Sequence, residues 1–152
     1  GPKGYAGGLP SVPPVIQFDA RNDYFDLNFH ELRGSSTNVT EKSIYYQLIP
    51  INDMKGKWTD ISFCLDFVNL NISVWVNGEK KLNIDKAPIN TNLKPSSIYF
   101  KHGIYRSFIS KYKAKHGTEV MPTQIVYYDE IRRGSSINEV DFNINPNLTI
   151  ID

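Results

Sequence analysis

A chain of 152 residues is one domain by size and long enough to bury a core. With 17 basic and 16 acidic side chains its net charge is +1, so no global field draws it to nucleic acid or to an anionic membrane surface. No apolar run approaches the roughly 18 residues needed to span a bilayer, and no secretory leader is legible.

Residues 1–14 are rich in Gly and Pro and read as a loop, with Gly1-Pro2 resembling a tag-cleavage scar. From Val15 to Ala20, Ile16, Phe18 and Ala20 share one face while Gln17, Asp19 and Arg21 share the other. After a turn at Asn22-Asp23 the alternation resumes, with Phe25, Leu27 and Phe29 set against Asp26, Asn28 and His30. Together they predict a hairpin. Residues 33–43 are polar and read as a loop, and Ile44–Ile51 as a third strand before a turn at Lys55-Gly56. Ile61–Phe67 and Ile72–Val76 follow as strands. Asn77-Gly78 is the strongest hairpin signal in the chain, with Lys80–Ile84 pairing back across it. Pro-punctuated residues 85–97 lead to a strand beginning near Tyr99, and a basic loop over 107–120, with a short helical turn near Ser107–Lys113, precedes a closing strand over 124–132. Many short alternating strands between turns predict an all-β antiparallel sandwich or jelly roll.

The lone Cys64 lies in the apolar run Ile61–Leu65 and reads as a buried thiol. Trp58 and Trp75 read as core residues. The sequons at Asn38, Asn71 and Asn147 carry little weight in so asparagine-rich a chain, and His30, His102 and His116 have no metal-like spacing. Asp129 and Glu130 offer oxygen to Ca²⁺, but adjacent acids on a strand face opposite ways, so no cofactor is expected.

The segment Tyr99-Phe100-Lys101-His102-Gly103-Ile104-Tyr105-Arg106 is the most informative. In extended form Tyr99, Lys101, Gly103 and Tyr105 point one way and Phe100, His102, Ile104 and Arg106 the other. Lys101 and Tyr105 then stand roughly 13 Å apart, a span suited to an elongated ligand. Phe100 and Ile104 are expected between two sheets, with Lys101 and Tyr105 on a concave face.

Tyr-Phe-Lys-x-Gly-Ile-Tyr resembles the signature strand of the jelly-roll polysaccharide lyases, the alginate-lyase and heparin-lyase-like enzymes. Gly56-Lys57-Trp58-Thr59-Asp60, Val74-Trp75-Val76-Asn77-Gly78 and Val126–Gly134 resemble further family stretches in the same order, over roughly residues 12–142. The resemblance implies a jelly-roll or concanavalin-like sandwich, here one domain over residues 1–152 that lacks its N-terminal strands. It implies β-elimination on an acidic, uronate-containing polysaccharide, with Tyr105 as catalytic tyrosine and Lys101 as the cation in the groove. Tyr99, Arg106, Gln17 and Arg21 are the candidate substrate-binding residues. An extracellular or surface location is implied, and no nucleic-acid or membrane partner.

The family's Gln-x-His segment does not occur in this sequence. The chain therefore resembles the C-terminal two-thirds of a lyase, completed by another chain or segment and prone to associate without it. A non-catalytic, lectin-like module and a structural domain of a larger assembly remain open as alternatives.

Overall fold

The computed structural model describes residues 2–3, 14–35, 38–88, 97–98, 100–104, 109–118, 120–123 and 125–149. The expected hairpin forms first. Strand β1 (Pro2–Lys3) precedes β2 (Ile16–Arg21), β3 (Tyr24–Ser35) and β4 (Asn38–Pro50), and the last three make one antiparallel sheet in that order. Ile16, Phe18 and Ala20 stand opposite Phe29, Leu27 and Phe25, so both apolar sets share one face. The connecting turn places Asn22 at φ +49°, a left-handed conformation that Asn tolerates better than most residues.

The β3–β4 hairpin extends beyond the sequence reading. Residues 33–35 and 38–43, read as loop, are strand, with Leu32 opposite Glu41 and Arg33 opposite Thr40. They lack an apolar period and carry polar pairs instead: Arg33 donates twice to Glu31 of its own strand, both at 2.8 Å, and His30 of β3 meets Glu41 of β4. The helical turn α1 (Ile51–Met54) then leads to Gly56 at φ +71°.

The second sheet holds β5 (Ile61–Asp66), β6 (Asn71–Val76) and β7 (Glu79–Ile84), also antiparallel and in that order. Asn77 and Gly78 both have positive φ, +50° and +78°, as a two-residue hairpin turn of matching twist requires. Leu27, Phe29 and Leu48 of the first sheet and Ile72, Val74, Val76 and Ala87 of the second region form one buried cluster. Phe18 stacks on Phe25 at 5.7 Å and meets Phe63 of the facing sheet at 5.4 Å. The protein is thus an all-β antiparallel sandwich. Within the stretch read as an N-terminal loop, β1 pairs with β8 (Ser97–Ile98).

Several expectations fail. Residues 100–104 enter no sheet, and Phe100 and Ile104 are 58% and 46% exposed rather than packed between sheets. The expected closing strand is likewise irregular over 125–132, with Ile125, Val126, Tyr127, Tyr128 and Ile131 exposed. Alternation fixes which side chains would share a face, but a strand also needs a neighbour in register, which local sequence does not supply. Cys64 is exposed, because Ile61, Phe63 and Leu65 take the core face of β5 and leave Cys64 on the other. Trp58 is 67% exposed after α1, and Trp75 alternates with buried Val74 and Val76, so it faces outward beneath Lys80. The basic region holds helix α2 (Ile109–His116), slightly beyond the expected turn. Residues cluster into two compact units, Gly1–Tyr99 with Arg132–Asp152, and Phe100–Ile131.

Gly78 and Gly56 separate backbone strain from crowding. Both have similar positive φ, but a Cβ on Gly78 would lie 2.5 Å from Asn143 Cβ, whereas one on Gly56 meets nothing within 4 Å. Gly78→Ala should therefore destabilise by at least about 1 kcal/mol more than Gly56→Ala, as misplaced Cβ atoms do. Equal thermal shifts for the two variants would refute the contact.

Candidate functional site

The sheet β2-β3-β4 carries a second set of side chains on the face opposite its apolar one. Because β3 is central, every polar residue on that face has neighbours from both flanking strands. Gln17, Asn28 and Tyr45 lie in one cross-strand row, and Asp19, Asp26 and Gln47 in the next. Among these, Asp26 is 5% and Asn28 4% exposed, and the His30 side chain 9%. A strand face this polar and this buried is unusual, since buried polar atoms normally find partners.

Here some do not. Asp26 Oδ1, Asn28 Oδ1 and His30 Nε2 have no hydrogen-bond partner among the described residues. They occupy positions i, i+2 and i+4 of one strand, a row about 13 Å long at 3.3–3.4 Å per residue. An unmet buried polar atom costs about 1–3 kcal/mol, so such a row is maintained against a penalty.

Its members are held in fixed orientations. Gln17 Nε2 donates to Asp19 Oδ1 at 2.5 Å, and Asn28 Nδ2 donates to Asp19 Oδ2 at 3.3 Å. That second bond directs the amide nitrogen of Asn28 sideways and leaves its oxygen unmet. His30 Nδ1 lies 2.5 Å from Glu41 Oε1, which Ser43 Oγ also approaches at 3.3 Å. A carboxylate there takes the proton of Nδ1, so in the neutral ring Nε2 is the acceptor. Burial raises the Asp26 carboxyl above its usual range; Arg21 partly opposes this, and Asp19 adds to it.

Arg21 reaches across the sheet. It stands on β2 and Tyr45 on β4, yet the guanidinium lies 3.9 Å from the centre of the Tyr45 ring. Joining the outer strands, this contact passes over β3 beside Asp26. Cation–π contacts at exposed sites contribute about 0.5–1 kcal/mol, so the bridge is weak compared with the unmet atoms beneath it.

The other predicted site residues belong to the second unit or fall outside the description. Lys101 is exposed in the irregular segment 100–104, where His102 packs on Phe100 at 6.0 Å and against Tyr128 at 5.5 Å. Tyr99, Tyr105 and Arg106 lie outside the described residues. The structure thus brings Gln17 and Arg21 together with Asp19, Asp26, Asn28 and Tyr45. Among the described residues no group of three or more His, Cys, Asp and Glu side chains is placed to hold a metal ion, and no helix is long and apolar enough to cross a membrane.

The family model described as polysaccharide lyase matches residues 3–132, most of the chain. The chain belongs to the polysaccharide lyase family. No curated protein and no solved structure shows a significant match. In this lyase-family chain, the matched span contains both the β2–β4 polar face and Lys101. Sequence reasoning placed Asp26, Asn28 and His30 on one face but gave them no role. Their register against Asp19 and Glu41 was needed, and Glu41 lay in a stretch read as loop.

A raised carboxyl pKa in the folded state means that folding favours the protonated acid. Its stabilising contribution is present below the ordinary carboxylate value of 3.8 and is lost as pH rises through the raised value. Asp26→Asn, which stays neutral, should therefore gain thermal stability relative to wild type between pH 3 and pH 7. A stability difference independent of pH would contradict the burial of this carboxyl.

Proposed function

We propose that this polysaccharide-lyase domain cleaves an acidic, uronate-containing polysaccharide by β-elimination. The observation that carries the acidic specificity is charge segregation. The stretch 100–118 holds Lys101, Arg106, Lys111, Lys113 and Lys115 and no acidic residue, so all 16 acidic side chains lie elsewhere in a chain of net charge +1. Such a stretch attracts a polyanion through its own field, although the molecule as a whole does not. An extracellular location fits a polymeric substrate of this kind.

In β-elimination a base removes the proton alpha to the uronate carboxylate. The released electron pair forms a carbon–carbon double bond, the glycosidic carbon–oxygen bond breaks, and an acid protonates the leaving oxygen. Charge that develops on the carboxylate needs placed donors or cations. By resemblance we assign proton transfer to Tyr105 and carboxylate neutralisation to Lys101, with Tyr99, Arg106, Gln17 and Arg21 contacting the sugar chain. A phenol has an ordinary pKa of about 10 and needs a nearby cation to act as a base near neutrality.

Because one fold carries both catalysts and binders, the other reading is a saccharide-binding module without turnover. The two separate in one assay, the ultraviolet absorbance of the unsaturated uronate product. On the lyase reading Tyr105→Phe should lower turnover by about 10²–10⁴-fold with binding nearly unchanged, as expected for loss of a general acid or base. Lys101→Ala should impair both binding and rate. Binding without any unsaturated product would establish the module reading, and an active enzyme indifferent to Tyr105→Phe would remove this tyrosine from the chemistry.

A further inference from the structure

The C-terminal segment carries a buried carboxylate that nothing among the described residues neutralises. Asp141 is 2% exposed, and its Oδ1 accepts the amide N–H of Asn143 at 2.9 Å, so the carboxylate lies within its own turn. Its Oδ2 has no hydrogen-bond partner among the described residues, and no Lys, Arg or His forms an ion pair with it there. Arg132, 4.4 Å from the centre of the neighbouring Phe142 ring, donates to the Thr149 carbonyl and leaves that oxygen unmet. A buried charge opposes folding unless it is paired or bound to a metal. The turn is tied to a second carboxylate. Asn143 Nδ2 donates to Asp60 Oδ2 at 2.6 Å, which leaves Asn143 Oδ1 and Asp60 Oδ1 without a donor among the described residues. Both residues are held from behind by the β6–β7 hairpin. Asn77 N donates to the Asp60 carbonyl at 3.0 Å, and Asp60 N donates to Asn77 Oδ1 at 2.9 Å. Asn143 packs so closely on the same turn that a Cβ on Gly78 would lie 2.5 Å from its own Cβ.

We propose that Asp141, Asn143 and Asp60 form a Ca²⁺ site that joins the C-terminal segment to the β6–β7 hairpin. The site is independent of the lyase reading. Its donors are all oxygen, two carboxylates and an amide, the set that hard divalent cations take. Asp141-x-Asn143-x-Asn145 is also the spacing with which calcium loops begin. The chain departs from that pattern at Pro146, where such loops have glycine, and Asn145 is already committed. Its Nδ2 donates to the Asn138 carbonyl at 2.9 Å and its Oδ1 accepts the Asn147 N–H at 3.2 Å. Asp60 supplies the further carboxylate instead. Carbonyls and waters complete the roughly six to eight ligands of Ca²⁺, whereas Mg²⁺ demands near-ideal octahedral geometry and gives up its water reluctantly. Only two of the ligands are acidic, so the expected Kd is in the weak range, about 10⁻⁴–10⁻³ M. A buried water would satisfy Asp141 Oδ2 but not its charge, and would leave stability indifferent to cations.

The test is thermal unfolding of the whole chain, stripped with a chelator and then given CaCl₂ or MgCl₂ at about 5 mM in about 0.15 M NaCl, where exposed charges are screened. Binding to the folded state alone at that Kd should raise the melting temperature of wild type by at least about 2 °C with Ca²⁺, and by less than about half as much with Mg²⁺. Asp141→Asn keeps an oxygen for the Asn143 N–H and removes the charge. It should weaken Ca²⁺ binding by at least about tenfold and so at least halve the shift. Asp60→Asn, which changes an exposed side chain, carries the same expectation and decides the matter if Asp141→Asn fails to fold. No shift of wild type with Ca²⁺, an equal shift with Mg²⁺, or a full Ca²⁺ shift retained by either folded variant overturns the proposal.

Discussion

Strand β3 is buried on both faces, and the rest of the molecule is arranged around that constraint. Leu27 and Phe29 are 0% and 1% exposed toward the core, while Asp26 and Asn28, alternating with them, are 5% and 4% exposed toward the other side. A central strand with two apolar faces would be simple to explain. Here one face is filled with carboxyl, amide and imidazole groups whose burial opposes folding unless each is hydrogen-bonded. The apolar face must therefore hold the strand in place, through the cluster that joins Leu27 and Phe29 to Ile72, Val74 and Val76. The core fixes the sheet, and the sheet fixes the spacing of the polar row.

Orientation within that row comes from its flanks. Asp19 on β2 and Glu41 on β4 each accept a hydrogen bond from a β3 side chain and so determine which atom of that side chain is left over. The outcome is a fixed pattern of unmet polar atoms along β3. Arg21 and Tyr45 add a weak cover from the same two outer strands.

The sequence made some of this legible and hid the rest for identifiable reasons. The alternation in β2 and β3 revealed their core faces, and Asn77-Gly78 revealed its hairpin, because period-two patterning and left-handed turns are local properties. The N-terminal half of β4 was invisible because its ladder is held by polar pairs such as His30 with Glu41, which leave no apolar period. Phe100, Ile104 and the Ile125–Ile131 segment misled in the opposite sense, since alternation and aromatic content suggested strands that the structure does not contain. Gln17 and Arg21 were placed on a polar face from their spacing alone. Their neighbours Asp26, Asn28 and Tyr45 emerged only with register, a long-range property.

Glu41 and Asp19 determine which polar atoms of β3 are left unmet, Nε2 of His30 among them. Long-range proton–nitrogen correlation spectra of His30 test this most directly. With the imidazole neutral, the expected result is a proton on Nδ1, facing Glu41, and a bare Nε2. A proton on Nε2 would contradict this orientation of the ring.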